Sequence, residues 1–231
     1  METNIVVGYS NLAQETNWPV RRAKVLAMMK NTVRASVYLF AETDYAMASW
    51  LGTQMGWGKE GQPAWSTDEN RNTVLFDRRK WYDVDRRQFS LSGKPGDLGD
   101  RNFRSVNWVR LRHLASGVEC WFGASHLSNG DAASDRLAQA KVLAAKLPTG
   151  AALLLGVDRN SYETSSPSEW MVGHGLPLLT PSLGDTFVGD GVQTSKKAID
   201  GLHGTVKIRA VETFINVAAT DHRFIRAQVT I

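Results

Sequence analysis

The sequence predicts an α/β fold with mixed rather than wholly parallel sheets, and three observations predict it. Short apolar, β-branched runs alternate with segments of helical spacing along much of the chain, the order expected of strands and helices packed in layers. The middle of the chain instead carries strand-like segments joined by turns, at residues 81–91, 104–113 and 119–125, which require antiparallel hairpins. Its 231 residues suit one large domain, 1–231, that buries a sizeable core, and no solenoid-length repeat or low-complexity tract divides it.

Residues 5–11 open the chain as a strand, apolar and β-branched at first and ending at Asn11. Asn17, Trp18 and Pro19 start a helix, with Pro19 tolerated in its first turn, and Val25, Met28, Met29 and Val33 supply the apolar spacing. Residues 36–41 form a second buried strand with Glu42 directly after it, and residues 45–55 read as the next helix. Residues 56–70, rich in Gly, Gln and Trp, read as an irregular loop in which Trp57 and Trp65 either pin the loop or stack on a base. Strands at 73–76 and 81–91 flank a turn at 77–80, and a Gly- and Asp-rich loop at 92–102 leads into the strand at 104–113. A hairpin turn at 115–118 returns the chain as 119–125, with His126 at the strand's end.

Residues 131–146 have helical spacing through Ala133, Leu137, Ala140 and Leu143, bounded by Pro148 and Gly150. The apolar run 151–155 suits a short strand buried on both faces, ended by Gly156 and opening into Asp158 and Asn160. Two residues apart on extended chain, those side chains point to one side; Asp and Asn are also common turn residues. Ser166 and Pro167 begin a short helix, and residues 176–197 read as a long surface loop. Short strands at 198–200, 206–211 and 224–231 close the chain, with Thr220, Asp221 and His222 before the last.

Composition narrows the function classes. An apolar fraction of 42% with 22% charged residues is ordinary for a globular protein, and no apolar run approaches membrane-spanning length. The N-terminus lacks the basic and then apolar layout of a secretion signal, so a cytoplasmic protein is expected, with no membrane partner and a monomer favoured. The single cysteine, Cys120, excludes an intrachain disulfide and a cysteine-based zinc site. The net charge of +4 is unevenly spread, because residues 71–112 hold eleven Lys or Arg against five Asp. That surplus suits a polyanion, or equally the charged edge strands of a sheet.

Polar residues therefore end buried strands at Asn11, Glu42, His126, Asp158 with Asn160, and Asp221 with His222, and Asp200 lies in a sixth strand. Singly, Glu42 is a metal ligand or a structural ion pair, His126 and His222 are satisfied core histidines as readily as site residues, and Asp200 is a possible turn former. In this order they resemble the endonuclease/exonuclease/phosphatase superfamily, which includes DNase I, the AP endonucleases, the inositol polyphosphate 5-phosphatases and neutral sphingomyelinases. The resemblance spans essentially the whole chain. An early strand ending in Asn is matched by Asn11, a Gln-Glu by Ala41-Glu42, a Thr-His-Leu by Ser125-His126-Leu127, and a Gly-Asp-Phe-Asn by Val157-Asp158-Arg159-Asn160. An Ile-Asp is matched by Ile199-Asp200, and a terminal Ser-Asp-His by Thr220-Asp221-His222. The strand from Asn72 to Asp77, and a later strand opened by Arg104, look like two further strands of the family, the second with a substrate-facing Arg. Ala41, Arg159 and Gly201 depart from the pattern without removing a group the chemistry uses directly.

The resemblance implies a DNase I-like four-layer α/β sandwich, with two mixed β-sheets packed face to face and helices outside. It implies a hydrolase of phosphate ester bonds using Mg2+ or Mn2+, with Glu42, Asp221 and Asn11 as metal ligands and Arg104 and Asn11 on the substrate phosphate. Asp158 and Asn160 would activate water, while His222, polarised by Asp200, and His126 would stabilise the transition state. Nucleic acid, most simply DNA cut by an endonuclease or exonuclease, is the first expected substrate. A phosphatase or phosphodiesterase acting on inositol phosphates, nucleotides or phospholipids is the alternative within the fold, and a non-catalytic nucleic-acid-binding module is the alternative of another class. His113, His174 and His203 fall in no matched motif and are expected to be structural.

Overall fold

Two strand–helix–strand units set the architecture. In the first, β1 (Asn4–Asn11) leads to α1 (Trp18–Ala27), which continues as a wider π-helical segment (Met28–Val33), and the chain returns as β2 (Val37–Ala41) parallel to β1. In the second, β6 (Glu119–His126), α3 (Ala133–Ala145) and β7 (Ala152–Asp158) repeat that arrangement, with β6 and β7 parallel. Parallel neighbours need a crossover, so each helix lies over one face of its sheet and both strands of a unit end at the same edge. The fold is that of a computed structural model, which describes residues 2–12, 17–43, 45–55, 72–91, 104–129, 133–181, 186, 199–214 and 220–231.

Antiparallel strands complete both sheets. β3 (Asn72–Phe76) pairs with β2, while β10 (Phe224–Thr230) pairs with β1 and with β9 (Lys207–Phe214), giving the order β3-β2-β1-β10-β9. The second sheet runs β4-β5-β6-β7-β8, from β4 (Trp81–Ser90) and β5 (Ser105–His113) to β8 (Asp200–Gly204). Two further helices are α2 (Tyr45–Gln54) and α4 (Ser166–Gly173).

Alternation along each strand assigns its side chains to layers. Ile5, Val7 and Tyr9 of β1 meet Leu39, Phe122, Leu154 and Val229 in the core between the sheets. Tyr38, Phe40 and Leu75 face outward against Val25, Met29 and Leu51 of the first helical layer. Leu153, Leu155 and Val157 point the other way from Leu154, against Leu143 of α3 and Met171 of α4. The result is helix, sheet, sheet, helix, the four-layer sandwich expected.

Several local expectations change. The strand expected to end at Gly156 continues to Asp158, because Gly156 pairs on one side with Ala124 and on the other with Leu202. The segment after α4 is not a surface loop at its start: Leu176 is buried, Leu178 bridges His203, and the Thr180 hydroxyl accepts from the Leu202 amide. The last part of the first expected helix is π-helical rather than α-helical. Trp57, Trp65 and the rest of residues 56–70 lie outside the described residues, as does the whole 92–102 loop.

The basic stretch proves largely self-compensated where it is described. Arg79 pairs with Asp77, Arg86 with Asp83, Arg87 with Asp85, and Arg110 and Arg112 with Glu119. β4 is an edge strand, so these charges fit the defended-edge reading, and of this stretch Arg104 is the residue placed at the site described below.

Gly156 is required by packing. A Cβ there would sit 2.3 Å from Cδ2 of Tyr9, whose ring crosses the gap between the sheets. Gly156→Ala is expected to lower unfolding free energy by about 1–3 kcal/mol in urea denaturation; an unchanged midpoint would show that Tyr9 moves freely.

Candidate active site

The two strand–helix–strand units deliver polar side chains to one edge of the sandwich. Asn11 and Ala41 are register partners at the ends of β1 and β2, and His126 and Asp158 at the ends of β6 and β7. Asp200, at the start of antiparallel β8, stands opposite Asp158. Asp221 and His222 precede β10, which pairs antiparallel with β1, so they reach the same edge.

The contacts join the two sheets. Nδ2 of Asn11 donates to Oδ2 of Asp158 at 2.9 Å and to Oε1 of Glu42 at 3.2 Å. Tyr9 donates its hydroxyl to Oδ1 of Asp200 at 3.0 Å, and Nδ1 of His222 lies 2.8 Å from Oδ2 of the same carboxylate. Nε2 of His222 then faces Oδ2 of Asp158 at 3.8 Å and Oδ1 of Asp221 at 3.9 Å. Thr220 anchors this last segment by donating to the Asn11 carbonyl at 2.7 Å.

His126 stands between donors and acceptors. Its Nδ1 is 2.8 Å from Nη1 of Arg104 and 3.3 Å from Glu42, while Nε2 is 2.7 Å from Nδ2 of Asn160 and 3.6 Å from Asp158. A neutral imidazole accepts at one nitrogen only, so Arg104 and Asn160 cannot both donate to it. Asn160 is held by its amide on the Leu127 carbonyl at 2.9 Å and by its backbone N–H on Oδ1 of Asp158, also 2.9 Å.

This geometry corrects the extended Asp158-x-Asn160 expectation. Asn160 has φ 47° and Glu42 φ 50°, so both leave their strands in the left-handed region, a costly backbone for non-glycine residues. Asp158 and Asn160 do form a turn, and that turn aims the Asn160 amide at His126.

Electrostatics follow from burial. Burial and the nearby Asp200 charge push the Asp158 carboxyl up to about 7, against the opposing pull of His222, the Asn11 amide and the Asn160 N–H. Burial disfavours the charged His222 ring, but Asp200, by charge and hydrogen bond, together with Asp158 and Asp221, raises it to about 10. Burial and Asp200 raise the Tyr9 hydroxyl well above its ordinary value, keeping it a donor.

Asp158, Asp200 and His222 each place one donor atom within 4.8 Å of the others, a group able to hold a metal ion. Asp200 already spends both oxygens on Tyr9 and His222. Glu42 and Asp221, by contrast, are 23% and 25% exposed, which suits a hard cation that retains several waters.

Three contributors were missed in the sequence. Tyr9 shares a strand face with Asn11 two residues on, so period-2 alternation carried the signal. Arg21 lies where the Glu42 and Asp221 carboxylates act on it, partly offsetting the lowering caused by its burial, and donates to the Leu12 carbonyl at 2.8 Å; no motif marks it. Arg159, noted in the sequence only as a departure from the family pattern, is fully buried and donates to the carbonyls of Ile199 and Asp200 at 3.2 Å each. Its Nη1 lies 3.5 Å from Nε2 of His203, whose Nδ1 meets the Leu176 carbonyl at 2.9 Å. Structural His203 thus backs the site.

No family model matches the chain, and no curated protein matches it by sequence. In three dimensions the fold is that of the endonuclease/exonuclease/phosphatase proteins, the DNase I-like class. An endonuclease/exonuclease/phosphatase family protein from Bacteroides thetaiotaomicron superposes with a TM-score of 0.80 at 15% identity, covering 100% of this chain and 96% of the other. D. rerio TDP2, in complex with a single-strand DNA product, gives 0.78 at 12%, covering 98% and 99%. A mannosyl-6-phosphatase of Bacteroides thetaiotaomicron gives 0.75 at 14%, covering 97% and 99%. Among the described residues no helix is long and apolar enough to cross a membrane.

His203 yields a pH test. Burial, then the Arg159 charge, depress its ring to about 3. The unfolded chain takes up that proton near pH 6.5 while the native chain stays neutral, so stability from this residue is present above 6.5 and lost as pH falls towards 3. The stability difference between wild type and His203→Gln should therefore shrink by up to about 1.4 kcal/mol per pH unit between pH 6 and 4, measured by urea denaturation. A pH-independent difference would contradict the assignment.

Proposed function

We propose that the chain is a divalent-metal-dependent phosphodiester hydrolase acting on nucleic acid, most simply a DNA endonuclease or exonuclease. The observation that supports this reading is the convergence of Asn11, Glu42, His126, Asp158, Asn160, Asp200 and His222 from both sheets at one edge.

A phosphodiester resists attack because its anionic oxygens repel a nucleophile. A Mg2+ or Mn2+ ion held by Glu42 and Asp221, with Asn11 beside them, would supply charge neutralisation at those oxygens. Asp158, poised near neutral pH, takes the proton of the attacking water, and Asn160 orients that water or a phosphate oxygen. His222, protonated and fixed by Asp200, presents Nε2 to the charge that develops on phosphate. Arg104 and His126 turn their donors to the same anion. Tyr9 holds Asp200 from the opposite sheet and is a positioning residue.

The DNA product in TDP2 supports the nucleic-acid reading. A phosphomonoesterase is the second reading, favoured by the likeness to a mannosyl-6-phosphatase. Purified protein is expected to nick plasmid DNA with Mg2+ or Mn2+ and not in EDTA, with Asp158→Asn slower by roughly 10^2- to 10^4-fold. Binding without cleavage in either metal would sink the hydrolase. Faster release from p-nitrophenyl phosphate than from bis(p-nitrophenyl) phosphate would favour the monoesterase.

A further inference from the structure

At the end of the sandwich opposite the candidate active site, the start of β1, the turn before β2 and the ends of β5 and β10 border a pocket of about 320 Å³. That volume lies at the lower end of the range for small-molecule sites, about 300–1,000 Å³. β1 runs from Asn4 at the pocket to Asn11 at the active site, so the two places are about 23 Å apart at roughly 3.3 Å per residue.

Four basic residues line the pocket from four separate elements: Arg34 from the turn before β2, Lys80 from the turn before β4, His113 from the end of β5 and Arg209 from β9. Among the described residues no carboxylate lines it. Two carboxylates act on these groups from outside. Glu2, 3.6 Å from Arg209, is 77% exposed, and Asp77, which feels the Lys80 charge, is gripped by Arg79 through bonds of 2.8 and 2.9 Å. Along β4 and β5, by contrast, Arg86, Arg87 and Arg112 each meet a carboxylate. Like charges gathered around one concavity repel one another, which favours an anion among them.

The segments that carry these groups are fixed. The Leu114 N–H donates to the Lys80 carbonyl at 2.8 Å, tying that turn to the end of β5. Nδ1 of His113 lies 3.0 Å from Oγ of Ser116, and its ring meets Trp81 edge-on with centroids 4.9 Å apart. Arg34 stands in the left-handed region at φ 49° and donates its Nε–H to the Asn31 carbonyl at 3.1 Å. Nε of Arg209 donates to Oγ1 of Thr230 at 2.5 Å, and that hydroxyl donates to Oδ1 of Asn4 at 2.8 Å. With its oxygen so used, Asn4 keeps its NH2 group as a donor.

We propose that this pocket binds a compact, multiply charged oxyanion, a short chain of consecutive phosphates, held by Arg34, Lys80, Arg209 and the Asn4 amide. Donors arriving from several elements suit tetrahedral phosphates better than a planar carboxylate. Cations grouped around one small concavity suit a compact polyanion, whereas a nucleic-acid strand needs them strung along a groove. The phosphate chain is free or is the tail of a nucleotide. The site is separate from the catalytic edge and stands whether or not that edge hydrolyses phosphate esters.

The probes are tripolyphosphate, ATP, citrate and a thymidine dodecamer, each titrated by calorimetry at low salt in EDTA into wild type, Lys80→Gln, Lys80→Arg and Arg209→Gln. Without a cation the catalytic edge presents Glu42 and Asp221 and disfavours these anions. Tripolyphosphate is expected to bind wild type more tightly than citrate or the dodecamer. Lys80→Gln and Arg209→Gln are each expected to weaken it about tenfold, and Lys80→Arg by less than about threefold. ATP bound as tightly as tripolyphosphate or more so assigns a nucleotide tail, and weaker ATP assigns the free chain. No binding of tripolyphosphate to wild type, an affinity unchanged in both Gln variants, or tighter binding of citrate or the dodecamer would each overturn the site. Metal-dependent hydrolysis of bis(p-nitrophenyl) phosphate is expected to be the same in Lys80→Gln as in wild type. That assay reads the catalytic edge alone, and the calorimetry needs no turnover, so failure of one conclusion is not mistaken for failure of the other.

Discussion

Asp158 and Asp200 stand directly opposite one another on neighbouring antiparallel strands, both buried. Like charges in that position repel, and each buried carboxylate without compensation would cost several kcal/mol. The rest of the molecule is arranged around that problem. Three of the donors come from the other sheet or its loops, namely the Asn11 amide, the Tyr9 hydroxyl and the His222 ring, and the fourth is the N–H of Asn160. The two sheets are therefore tied at this edge by polar bonds as well as by the apolar core, and Gly156 leaves the space through which Tyr9 makes its bond.

The same arrangement separates two kinds of carboxylate. Asp158 and Asp200 are sealed and strongly coupled to partners, whereas Glu42 and Asp221 remain partly open. Sealed groups suit proton transfer and orientation, because a low-dielectric setting moves their protonation and fixes their geometry. Open ones suit a hydrated cation. Positive φ at Glu42 and Asn160 places backbone strain at two of these positions, as sites that must aim a side chain commonly do.

Behind the site, Arg159 occupies a position where the resemblance leads one to expect an apolar side chain. A buried guanidinium is tolerable there because Ile199, Asp200 and His203 receive its N–H groups, and the carboxylates of Glu163 and Asp200 act on it electrostatically. Arg159 makes charge-assisted bonds to the backbone that carries Asp200. It couples β7 to β8 through polar geometry, and so ties the position of the Asp200–His222 pair to a residue that faces no substrate.

The strand and helix order was legible in the amino-acid sequence because period-2 and period-3.6 apolar spacing reports local burial directly. Asn11, Glu42, His126, Asp158 and His222 were legible too, because a polar residue that ends an apolar strand is conspicuous by contrast. Tyr9, Arg21 and Arg159 were not. A tyrosine inside an apolar strand looks like core, and an arginine in a turn looks solvated, until the strand from the other sheet or the buried carbonyls are in place. Sequence alone determined which residues can carry chemistry and that they sit at strand ends, since both follow from neighbours in the chain. Only the tertiary structure decided that Asn11 meets Asp158, 147 positions away, that Asn160 turns back on His126, and that Arg159 is buried, since these depend on how the two sheets face one another.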